Sequence, residues 1–155
     1  MRFFLFILIG CASMLAQPIL PDSTMSPGVI ILTADSACVC TKGYSATVRD
    51  VPRTRKDSVY WEYGIRHHKK GEYEIDHLIS LELGGSNDIK NLWPESYKTQ
   101  PWNAHVKDQL EDHLHWMVCH GKISLRQAQF EISRDWIKAY KKYIAPEPRP
   151  GRGHR

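Results

Sequence analysis

The chain has 155 residues, enough for one domain with a modest core and too few for a large multidomain enzyme. With 42% hydrophobic and 10% aromatic residues, it is not disordered along its whole length. Its formal charge of +4 permits binding to a polyanion without requiring it.

Met1-Arg2, the apolar run Phe3 to Ile9 and the small residues Gly10, Cys11, Ala12 and Ser13 have the pattern of an export signal, 1–16. The run is too short to cross a bilayer as a mature helix. Cleavage after Ala16 would give a soluble periplasmic or secreted protein. Leu8-Ile9-Gly10-Cys11 also resembles a lipobox, and cleavage there would leave a lipidated Cys11, the one expected route to a membrane. An oxidising destination lets cysteines pair. Cys38, Cys40 and Cys119 leave one cysteine free or paired with another chain; Cys38 and Cys40 lie too close in an extended segment to pair comfortably with each other, and Cys40–Cys119 is the expected disulfide. The rival is a zinc site of Cys38, Cys40, Cys119 and His120, whose C-x-C spacing is not the usual one.

Residues 17–37 are weakly patterned and read as a linker carrying a short strand at Val29–Leu32. The globular domain is expected over 38–144, opening with an irregular arm over 38–52. Val59, Tyr60 and Tyr63 predict a helix over Thr54–Ile65. A strand is expected over Tyr73–Leu81, with Tyr73, Ile75, His77 and Ile79 on one face. Leu83-Gly84-Gly85-Ser86-Asn87 is a turn, and Asn91-Leu92-Trp93 begins a second strand that Pro94 should stop. Trp102, Val106, Leu110, Leu114 and Met117/Val118 form the apolar stripe of a helix that Gly121 ends. Ser124-x-x-Gln127 caps a further helix to about Tyr143. The Pro-, Gly- and Arg-rich tail 145–155 is expected to be disordered.

The stretch 73–107 carries the chemistry. Asp76-His77, then Gly84-Gly85, then Asn91-Leu92, then Asn103 at a helix start resemble the HNH endonuclease family in order and in strand–turn–strand–helix context. The resemblance implies an α+β fold whose hairpin and following helix grip one divalent metal ion, the ββα-metal motif, packed with additional helices. It implies hydrolysis of DNA phosphodiester bonds, DNA rather than RNA, leaving 5′-phosphate and 3′-hydroxyl ends.

The residue types suit that reaction. The imidazole of His77 titrates near neutrality and can take a proton from water. Asp76 offers a charged oxygen and Asn103 a neutral one to a hard cation, Mg²⁺ first and Mn²⁺ or another transition ion as substitutes; His105 is the alternative to Asn103. Asn91 is expected to orient His77. Lys107, Lys98 and His68 are expected against phosphate. Neighbouring strand residues point to opposite faces, so Asp76 and His77 can share a site only at a bulge or a strand end. With no added recognition module, sequence specificity should be low. No protein partner is implied. Two other readings use the same residues: a nucleic-acid-binding module without turnover, and a disulfide- or zinc-stabilised envelope protein.

Overall fold

Two antiparallel strands and five α-helices make a mixed α+β fold in this computed structural model, which describes residues 19–146. The segment 1–16 expected to be an export signal and the tail from 147 onward lie outside the described residues. No described helix is long and apolar enough to cross a membrane.

The N-terminal half differs most from expectation. Residues 19–37 do not behave as a linker. Ser26 Oγ donates to Leu92 O (2.6 Å), Gly28 N–H to Lys90 O (3.0 Å) and Ile31 N–H to Gly84 O (2.8 Å). The strand expected at 29–32 is one isolated bridge, Ile30 to Gly85. The arm over 38–52 contains most of two short helices, α1 (Ser36–Val39) and α2 (Tyr44–Val48). Helix α3 spans Arg53–Glu62 and buries Val59 completely.

Strand β1 (Tyr73–His77) pairs with β2 (Leu92–Ser96) in the register Tyr73–Ser96, Ile75–Pro94 and His77–Leu92. β1 is four residues shorter than expected at its C-terminal end. β2 runs through Pro94 rather than stopping there. A two-stranded sheet leaves each strand one unpaired edge, and a residue without an N–H is tolerated on it.

The Gly-Gly turn between the strands uses each glycine differently. Gly84 has φ +74°, a conformation that side chains disfavour. At Gly85 a Cβ would lie 1.7 Å from the carbonyl oxygen of Ile79, so no side chain fits.

Helix α4 (Ala104–Cys119) starts two residues later than expected. Asn103 is its N-cap, accepting from Val106 N–H at 3.3 Å. Helix α5 (Leu125–Tyr143) is capped by Ser124 as expected. It kinks at Asp135, whose carboxylate accepts from Lys138 N–H (3.0 Å) and so caps the restarted helix. The apolar stripes of α4 and α5 meet: Leu110, Leu114, Ile132, Trp136, Ala139 and Tyr140 pack in one core with Trp93 from β2. Truncating one such buried leucine to alanine costs about 2–5 kcal/mol. Trp102 stands edge-on to Trp136 and Tyr140. The Cys40–Cys119 disulfide, expected from the sequence, ties the end of α1 to the end of α4 across 79 residues.

Candidate active-site cleft

The register places Asp76 opposite Trp93 and Glu74 opposite Glu95, so these four side chains share the sheet face toward α4. His77 belongs to the other face. β1 ends at His77, however, and both side chains border one cleft of about 200 Å³. The strand end required by the sequence argument is present. Arg49, at the end of α2, and Glu82, Asp108, Glu111 and Asp112 complete most of the wall.

A neutral His77 is held in one tautomer. Its Nε2 is 3.0 Å from Asn87 Oδ1, while Asn87 Nδ2 donates to Val48 O at 2.6 Å. A carbonyl oxygen only accepts, so the Asn87 amide must turn its NH₂ to Val48 and its oxygen to the imidazole. Nε2 therefore carries the proton and Nδ1 the lone pair. Burial pushes the imidazole below its ordinary pKa; Asp76 and the Asn87 bond oppose this without cancelling it. His77 is neutral at pH 7, the form a base requires.

Lys107 is not a phosphate contact. It is completely buried, and its ammonium binds Asp76 Oδ2 (2.6 Å), His77 O (2.8 Å) and Glu111 Oε1. Removing one partner of such a buried pair costs about 3–5 kcal/mol, because the other charge stays behind. One lysine serves several acids. For Asp76, burial is the largest influence and raises its pKa, but Lys107 and His77 outweigh it and hold the carboxyl below its usual value. Glu95 is pushed well up by burial, with its Oε1 left without a partner. Burial also pushes Glu111 up to about 8 and raises Asp108 and Glu74. The site holds more carboxylate than its own cations neutralise.

That excess suits a hard divalent cation, which prefers oxygen ligands. The carboxylates that border the cleft are Asp76 from the strand end, Glu82 from the loop after it, and Asp108, Glu111 and Asp112 from α4. Residues 108, 111 and 112 share a helix face at spacings of three and four. The pair read from the sequence, Asp76 with Asn103, does not assemble. Asn103 donates its amide to Thr99 O and accepts from Val106 N–H, which occupies it as a helix cap. His105 is exposed beside the ring of Tyr97 and does not border the cleft.

Asn91 is not the group that holds His77. Its side chain accepts from Ile79 N–H and donates to Ile79 O and Ser86 O, which clamps the loop after β1. Asn87 does the orienting instead. Lys98 and His68 are exposed and do not border the cleft; His68 stacks on Tyr60. The four-residue zinc site does not assemble in this state: Cys40 and Cys119 are joined, and the ligand group they form is with His115, without Cys38 or His120. Cys38 is free and exposed.

Sequence reasoning missed Asn87, Arg49 and the acids of α4. Asn87 carried only a turn signal, and Arg49 sat in a stretch read as irregular. No family model, curated protein or solved structure matches the chain.

Proposed function

We propose that the protein is a metal-dependent endonuclease of the HNH, ββα-metal type, hydrolysing DNA phosphodiester bonds with low sequence specificity. The observation that carries this reading is the neutral, tautomer-fixed imidazole of His77 beside Asp76 in the wall of an acidic cleft. General-base catalysis requires that arrangement, and a structural histidine does not.

His77 Nδ1 takes the proton of the attacking water, while Nε2–H stays bonded to Asn87 so that the ring keeps its orientation as it becomes cationic. A divalent ion held by Asp76 and the α4 carboxylates would supply positive charge for the phosphate and the leaving oxygen. The segment Arg49 to Lys56 (RDVPRTRK) supports the substrate class. Arg49 borders the cleft, and Arg53 and Lys56 are exposed on α3 next to Arg55. A phosphodiester strand on this basic flank would bring its phosphate to His77, with the acids on the opposite wall.

Plasmid nicking in Mg²⁺ or Mn²⁺ tests the reading. Wild type is expected to nick, EDTA to abolish nicking, and His77→Ala to lower the rate at least about 100-fold. DNA retention without nicking would leave a binding module, and neither retention nor nicking would leave an envelope protein. Nicking that survives His77→Ala would remove the base.

A further inference from the structure

A second cluster lies at the other end of α4, outside the cleft. Cys119 Sγ is 3.4 Å from His115 Nε2, one helical turn away. Cys40 Sγ, His115 and Cys119 Sγ each offer a ligand atom, and these atoms lie within 4.8 Å of one another. In a tetrahedral zinc site the separation between a sulfur and a nitrogen ligand is about 3.6 Å, from bond lengths of about 2.3 and 2.05 Å. The observed separation already falls near it.

The other ring nitrogen is also placed for a metal ligand. His115 Nδ1 faces Glu82 Oε2 at 3.8 Å. Histidines that bind metal through one nitrogen commonly direct the other toward a carboxylate, which fixes the tautomer and strengthens the ligand. In the disulfide form Nε2 lies 2.9 Å from Val39 O and donates its proton there. Moving that proton to Nδ1 would free the Nε2 lone pair to bind a metal held beside the sulfurs. Cys40 is exposed and Cys119 partly so, which leaves the disulfide open to attack from solvent.

We propose that Cys40, His115 and Cys119 form a binding site for a thiophilic divalent metal, Zn²⁺ by its chemistry, which the disulfide masks and a dithiol reductant opens. A dithiol gives two electrons and two protons to the Cys40–Cys119 bond and leaves as its own disulfide. The metal then displaces one proton from each thiol, and Nε2 of a neutral His115 adds the third ligand. Two thiolates neutralise the ion, so the site stays uncharged. Water fills the fourth position. The three ligands lie outside the oxygen-lined cleft, which the site touches through Glu82, and the site stands whether or not the chain cuts nucleic acid.

The test uses Co²⁺ as a visible stand-in for zinc, with the full chain carrying Cys11→Ser and Cys38→Ser so that the remaining cysteines are the two in question. After reduction by a phosphine and its removal, one Co²⁺ beyond any that the cleft takes is expected to bind with thiolate charge-transfer absorption and the visible bands of a tetrahedral ion. The oxidised protein is expected to show neither. His115→Ala should weaken binding at least about tenfold, and Glu82→Gln by about tenfold. Equal Co²⁺ spectra in oxidised and reduced protein, or unchanged affinity in His115→Ala, would overturn the proposal. Far-UV circular dichroism follows the fold. Should the reduced chain lose its helical signal, Zn²⁺ must restore it, since metal and folding are then linked; failure to restore it would also overturn the site.

Discussion

The side-chain amide of Asn87 bridges His77 Nε2, at 3.0 Å, and the carbonyl of Val48, at 2.6 Å. One residue of the inter-strand turn thereby fixes which nitrogen of the imidazole is basic. It does so by borrowing a backbone acceptor from the end of α2. Replacing Asn87 with alanine should release the ring and lower the nicking rate about 10- to 100-fold, with little change in substrate affinity. Asn87→Asp is the sharper experiment. The folded pKa of His77 lies below the ordinary 6.5, so the acid limb of the rate profile falls below that pH in the wild type. A carboxylate in place of the amide favours the imidazolium and should move the limb upward. A pH–rate profile that does not move would mean that Asn87 does not face the working imidazole.

Asn91 makes the contrasting case. It is completely buried and bonded to the backbone of Ile79 and Ser86. Asn91→Ala should lower stability by about 3 kcal/mol, since it strands several buried polar groups. Urea denaturation measures this. The fraction that stays folded should keep the pH profile of the wild type, and a displaced acid limb would restore Asn91 as an orienting group.

Glu111 gives the protein a pH-dependent stability with a definite sign. Its folded carboxyl titrates at about 8, against an ordinary value of 4.5, with burial as the main cause. The folded state thus binds a proton more tightly than the unfolded chain. The resulting stabilisation is complete below pH 4.5 and is lost as pH rises through about 8. Glu111→Gln should flatten the decline in Tm between pH 5 and pH 8 in EDTA. Parallel Tm curves for variant and wild type would show that Glu111 is ionised in both states.

In the proposed reaction Arg49, which borders the cleft, contacts phosphate and takes no part in the proton transfer. Arg49→Ala should raise KM for DNA several-fold, leave the acid limb of the profile largely in place, and reduce the slope of log K against log salt by about one. Binding isotherms at several salt concentrations give the slope directly. An unchanged slope would place the polyanion elsewhere on the surface.

Much of the fold was legible because its signals are local. The stripe Trp102, Val106, Leu110, Leu114 located α4, and Ser124 marked the start of α5. Gly84-Gly85 announced the turn, and Asp76-His77 marked the strand end that borders the cleft. The sequence misplaced what depends on distance through space. Asn87 and Asn91 are equally good amides, and only the fold decides that one meets His77 while the other closes a loop. Lys107 reads from the sequence as a phosphate contact on a helix face until three acceptors converge on it. Asn103 was legible as a helix start and, for the same physical reason, was not free to be a ligand, because a helix cap already uses its oxygen. Asp108, Glu111 and Asp112 border the apolar stripe of α4 without any periodic mark that sets them apart from surface acids.

Residues 26–31 have a practical consequence. Their hydrogen bonds serve the carbonyls of Gly84, Lys90 and Leu92, which frame the turn that carries Asn87. A truncated chain beginning at residue 38, where composition alone would draw the boundary, deprives those carbonyls of donors and loosens the turn that steers the imidazole. Such a chain would fold poorly or work poorly for reasons unrelated to its chemistry. Trimming for expression therefore has to stop upstream of Ser26, and a purification handle belongs at the opposite end of the chain.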